Sequence, residues 1–216
     1  MAITPKSRLI VALDVTDRDE AIRIVEKIGG AVDAVKVNYP LVLASGLGII
    51  GEIKRHAKVI ADFKVADIPN TNRLICEQAF GAGADAIICQ GFPGKDSVEA
   101  CVEAAARFGR EAYVVTEMSH PGALDFLQPC ALELVDLART ARAAGIVAPA
   151  TRPERLALIR ERAGRMKILS PGVGAQGGDA AAAIEAGADF VIVGRSIYNA
   201  ADPYQAAIDF IAQLRR

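Results

Sequence analysis

The sequence predicts an α/β protein of the (β/α)8 barrel, or TIM-barrel, class, folded as a single domain over residues 1–216. Three observations predict it. Eight short apolar segments alternate with eight helical stretches, without a linker, low-complexity tract or charge block. The segments are continuous Val/Ile/Ala runs, which marks strands buried on both faces, hence parallel and covered by helices. An open doubly wound sheet would need a glycine fingerprint after its first strand, and Asp14-Val-Thr-Asp17 is not one.

The elements follow in order. Arg8 to Asp14 reads as a strand ending in a carboxylate. Asp17 suits the N-cap of a helix with Ala21, Ile22, Ile24, Val25 and Ile28 on one face, stopped at Gly29-Gly30. The strand Ala34–Val37 runs into Asn38-Tyr-Pro40, and one helical region is expected from there to about His56. Val59 to Lys64 is the third strand, and Pro69 opens a helix to Phe80. The rhythm repeats with strands at Ala86–Cys89, Ala112–Thr116, Ile146–Ala148, Lys167–Ser170 and Phe190–Val193. Helices are expected over 94–108, over 124–144 with an interruption near Gln128-Pro129, and over 153–163, 178–186 and 203–214.

Composition excludes several classes. A net charge of −1 and the absence of Trp argue against nucleic acid and anionic membranes as partners. The N-terminus lacks a signal-peptide core and no apolar run reaches the ~20 residues of a membrane span, so a cytoplasmic location is expected. Cys76, Cys89, Cys101 and Cys130 form no Cys-x-x-Cys pair and are read as buried free thiols, with no metal or redox use. Of the two histidines, His56 falls at an exposed helix end and His120 has no obvious carboxylate to orient it, so nucleophilic triads are set aside.

Barrel enzymes act at the C-terminal ends of their strands. The polar residues there are Asp14, Lys36, Asp62, Lys64, Asp67, Gln90, Thr116 to Ser119, Ser170 and Arg195. Asp62 and Lys64 share a strand face by alternation, and Asp67 follows where the chain leaves the strand. Such a cluster serves either as a structural ion-pair set or as a site holding a lysine among carboxylates. A lysine so placed stays protonated, which makes it a proton donor rather than a nucleophilic amine. The glycine-rich Ser170–Gly178 loop and Val193-Gly-Arg-Ser196 stand where these barrels bind phosphate, with Arg195 adding a forked contact.

Together, Asp62-x-Lys64-x-x-Asp67-Ile-Pro, Lys36, Thr116-Glu-Met-Ser119-His-Pro-Gly122, Ser170-Pro-Gly-Val-Gly-Ala-Gln176-Gly-Gly178 and Gly194-Arg195-Ser-Ile-Tyr198 resemble the orotidine 5′-phosphate decarboxylases, the archaeal form above all. The resemblance runs from Leu9 to the last helix. It implies a catalytic array of Lys36, Asp62, Lys64 and Asp67, with Lys64 protonating C6 of the pyrimidine as carbon dioxide leaves. It implies substrate-binding roles for Asp14, Ile68, Thr71, Ser119, Pro171, Gln176, Gly194 and Arg195, and a closing loop over 171–178. It further implies a homodimer in which Asp67, with Thr71 behind it, reaches the neighbouring subunit's site, and no metal or organic cofactor.

Two positions depart from the family pattern: Asn38 stands where a small residue, often glycine, is expected, and Gln90 where histidine is common. A sister group, the magnesium-dependent 3-keto-hexulose-phosphate decarboxylases and aldolases, has a carboxylate at the strand-two position. Lys36 there would repel the cation. A catalytically silent phosphosugar-binding barrel would tolerate losses from the array, and none is visible.

Overall fold

Eight parallel strands pair in sequence order and close, β8 against β1, into a barrel. The computed structural model describes residues 2–214. The strands are β1 (Leu9–Leu13), β2 (Ala34–Asn38), β3 (Val59–Val65), β4 (Ala86–Gln90), β5 (Glu111–Val115), β6 (Gly145–Val147), β7 (Lys167–Pro171) and β8 (Phe190–Val193). The first seven helices are α1 (Arg18–Ile28), α2 (Tyr39–Ser45), α3 (Ile49–Ile53), α4 (Pro69–Gly81), α5 (Lys95–Arg107), α6 (Ala123–Phe126) and α7 (Ala131–Thr140). They are followed by α8 (Pro153–Ala163), α9 (Ala180–Glu185), α10 (Arg195–Tyr198) and α11 (Pro203–Gln213).

Strand alternation divides the apolar residues into two cores. Val11, Val35, Ala61, Cys89, Val114 and Val193 face outward and pack beneath the helices. Ile10, Ile60, Ile88, Tyr113, Val147, Leu169, Phe190 and Ile192 fill the barrel itself. The fit is tight at Gly145, where a Cβ would stand 2.3 Å from the Lys167 carbonyl oxygen and 2.9 Å from the Tyr113 ring. The buried Ile3 joins this interior core from the N-terminal side of the barrel. Its N–H donates to Glu111 at 3.0 Å and its carbonyl accepts from Lys167 Nζ at 2.7 Å. An apolar floor of this kind leaves the polar inward positions to gather at the C-terminal mouth.

All eight expected strands form, and the helices differ in detail. The region after β2 is two helices, because Gly46 adopts φ +78° and turns the chain between them. The expected interruption of the 124–144 helix near Gln128-Pro129 is present, separating α6 from α7 at Leu127–Cys130. Pro129 lacks an N–H there and disfavours helical backbone in the residue before it. Arg142 at φ +61° then ends the segment short of Ala144. Cys76, Cys89 and Cys101 are buried free thiols as expected; Cys130 is exposed, because the break carries it out of the helical packing. No helix among the described residues is long and apolar enough to cross a membrane.

Candidate active site

The C-terminal mouth holds a cavity of about 260 Å³, at the small end for small-molecule sites. Its base is charged. Lys36, inward from β2, places Nζ 2.8 Å from Asp62 Oδ2 and 3.8 Å from Asp14. Lys64 Nζ lies 2.9 Å from both oxygens of the same Asp62 carboxylate. Asp62 is thus gripped by two lysines, and both it and Lys36 are buried.

Burial is the largest single influence on each of these two groups and opposes its charge. The opposing charges together outweigh it. Asp62 and Asp14 hold the Lys36 ammonium above the usual lysine range, and Lys36 and Lys64 hold Asp62 below the usual carboxylate range. Both therefore remain ionised through neutral pH.

Backbone strain brings Lys64 into this set. The β3–β4 pairing shifts register between Ala61 and Val65, and Lys64 sits at φ +42°, unusual for a residue with a Cβ. The distortion is buttressed from outside the strand. Tyr39 Oη donates to the Phe63 carbonyl at 2.8 Å and its ring stacks on Phe63 with centroids 5.2 Å apart.

Another wall is glycine-rich and carries Arg195. Pro171, Gly172, Val173, Ala175 and Gln176 line the cavity from the β7 loop, and Gly194, Arg195 and Tyr198 from β8 and α10. The loop is folded on itself: Gly178 N–H donates to the Gly172 carbonyl and Gly174 N–H to the Gly178 carbonyl, each at 3.0 Å. The Arg195 side chain forms no ion pair among the described residues and is exposed at the mouth.

Of the residues singled out in the sequence, Asp14, Lys36, Asp62, Lys64, Ser119, Pro171, Gln176, Gly194 and Arg195 converge on this cavity. Asp67, Ile68 and Thr71 do not line it. Asp67 and Ile68 are exposed on the loop after β3, where Asp67 Oδ1 caps the Ile68 N–H at 2.7 Å. The Lys-Asp array within one chain therefore comprises Lys36, Asp62 and Lys64.

One strand-end residue has a role that the sequence does not reveal. Glu117 is fully buried in the cavity wall, 3.0 Å from Arg152 Nε and 3.2 Å from Arg155. Arg152 also donates to the Met118 carbonyl at 2.5 Å, which fixes the backbone leading to Ser119. The signal was Arg152-Pro-Glu-Arg155, two arginines three residues apart after β6.

A closed β/α barrel with a lysine–carboxylate array and a glycine-rich wall at the C-terminal mouth has the form of a β/α-barrel enzyme. A profile of the orotidine 5′-phosphate decarboxylase / HUMPS family matches residues 7–210. The orotidine 5′-phosphate decarboxylase of Methanosarcina mazei is 59% identical over 208 residues, 96% of this chain and 94% of that protein. That of Thermococcus kodakarensis is 54% identical over 205 residues, 94% of each chain. The crystal structure of the Methanocaldococcus jannaschii enzyme complexed with the inhibitor BMP superposes with a TM-score of 0.93 at 47% identity, covering 99% of this chain and all of that one. The chain belongs to the orotidine 5′-phosphate decarboxylase / HUMPS family.

Proposed function

We propose that the protein decarboxylates orotidine 5′-phosphate to uridine 5′-phosphate, without metal or organic cofactor, in cytoplasmic pyrimidine biosynthesis. The observation that carries the reading is the Lys36–Asp62–Lys64 array, set across one small cavity from the cradle of Gly194 and Arg195. The phosphate anchors at the cradle, Asp14 and Lys36 take the ribose, and Ser119 and Gln176 meet the pyrimidine. The carboxylate at C6 then lies beside Asp62. The bond from C6 to the carboxylate breaks, carbon dioxide leaves, and the electron pair stays at C6. Lys64 delivers its proton there and is recharged from solvent after release.

The catalytic gain is electrostatic preorganisation. Negative charge moves from the departing carboxylate, near Asp62, to C6, near the Lys64 ammonium. The array is already held in place by its own ion pairs, so little reorganisation accompanies the step. Folding of the Pro171–Gly178 loop over the substrate would exclude water. The donor set favours this reading over a magnesium-dependent one, since Asp62 already carries two lysines and Glu117 two arginines.

The proposed enzyme is a homodimer in which Asp67, with Thr71 behind it, completes the neighbouring site. Its position supports this: Asp67 is exposed on the loop after β3 and does not line the cavity of its own chain.

The test follows the ultraviolet absorbance of orotidine 5′-phosphate with purified protein in excess chelator. Conversion to uridine 5′-phosphate is expected. Conversion only after magnesium is added, or none while the nucleotide still binds, would overturn the reading in favour of a metal-dependent sister enzyme or a silent barrel.

A further inference from the structure

Asn38 ends β2 two residues beyond Lys36, on the same inward parity, in register with Asp62. It lines the cavity. It is also the N-cap of α2, with φ −119° and ψ 176°, and its Oδ1 accepts from the Tyr39 N–H at 2.7 Å. That bond settles which end of the amide faces the protein: the oxygen is engaged by the cap, so the NH2 group points the other way. No acceptor takes Asn38 Nδ2 among the described residues, and the atom is not buried. It is a neutral donor, held in a fixed direction at the rim of the site.

The groups around it narrow what it can meet. Lys36 and Lys64 are each drawn to Asp62, while Asp14, half-exposed, is an acceptor with one oxygen that lacks a hydrogen-bond partner. A sugar hydroxyl needs an acceptor for its proton and a donor for its oxygen. Asp14 offers the first, and the Asn38 amide offers the second beside it.

We propose that Asn38 donates a hydrogen bond through Nδ2 to a ribose hydroxyl oxygen of the nucleotide, making it a residue that determines specificity for the sugar. This rests on the decarboxylase reading above, which supplies the ribonucleotide. The competing account is that Asn38 serves only as a helix cap. Serine caps a helix as well as asparagine and is too short to repeat the contact, so Asn38→Ser separates the two.

The experiment titrates uridine 5′-phosphate and its 2′-deoxy and 3′-deoxy analogues against the wild-type protein and Asn38→Ser, with melting temperatures recorded for both. Asn38→Ser is expected to melt with the wild type and to bind uridine 5′-phosphate about three- to tenfold more weakly, the range of one neutral hydrogen bond. For the analogue lacking the contacted hydroxyl, the two proteins are expected to bind alike. Unchanged affinity for uridine 5′-phosphate in Asn38→Ser, or an equal loss for all three ligands, would overturn the contact and leave the decarboxylase reading standing. Failure of the wild type to bind any of the three would overturn both.

Discussion

Asp62 illustrates how much a single side chain depends on its neighbours. A buried carboxylate is costly alone, and here two ammonium groups within 2.9 Å make it the fixed point of the array. Lys64 is the more exposed of the two lysines and is carried on left-handed backbone, an arrangement that spends stability to aim one side chain. Its removal leaves the Lys36–Asp62 pair intact, so the fold survives while the proton donor is lost. Lys64→Ala should lower turnover by about 10³-fold or more, the combined scale of a general acid and of aimed charge. Uridine 5′-phosphate should still bind it; turnover within tenfold of wild type would remove Lys64 from the mechanism. The charges of this site were legible in the sequence because strand alternation and the strand-end rule place Lys36, Asp62 and Lys64 together. Glu117 was not assigned a role, because its partners Arg152 and Arg155 lie more than 30 residues away and meet it only through the β5–β6 pairing.

At the scale of elements, what the sequence conveyed well was period and punctuation. Every strand was visible as an apolar run and the break between α6 and α7 as Gln128-Pro129, whereas that between α2 and α3 depends on how Gly46 bends the chain. The loop after β7 shows the same limit: its glycine content marked it as a phosphate loop, and its internal bonds needed three dimensions. Gly172 sits at φ +104°, where a Cβ would stand 2.8 Å from Thr151 Cγ2 and 3.2 Å from Ser119 Cβ. Neither neighbour is the far end of a flexible chain. Gly172→Ala should therefore push the loop away from the cavity. Strain of about 1–3 kcal/mol should appear as roughly a five- to hundredfold rise in the dissociation constant for uridine 5′-phosphate. The loop contributes to the outer core chiefly through Val173, so the melting temperature should move by only a few degrees. Wild-type affinity in this variant would show that the loop conformation is not needed for binding.

For the whole molecule, the decisive feature is that the charged array and Asp67 belong to one strand end yet point to different places. The loop bearing Asp67 is rigidly built: its N–H donates to Asn72 Oδ1 at 2.9 Å, its carbonyl accepts from Ser97 Oγ at 3.0 Å, and Asn72 and Ser97 are buried and bonded to each other. Asp67 is thus held outward by the fold. Around it the loops after β3, β4 and β5 expose Ile68 (65%), Phe92 (61%) and Phe126 (83%), an apolar rim suited to burial against a second copy. A site shared across such an interface has a consequence that a self-contained one lacks. If Lys64→Ala and Asp67→Ala chains are each inactive, a hybrid dimer carries both defects in one site and neither in the other. Refolding them together in equal amounts makes about half the dimers hybrids, so about a quarter of the wild-type activity should return. If each chain used its own Asp67, every site in every dimer would remain defective, and verified hybrids would stay silent.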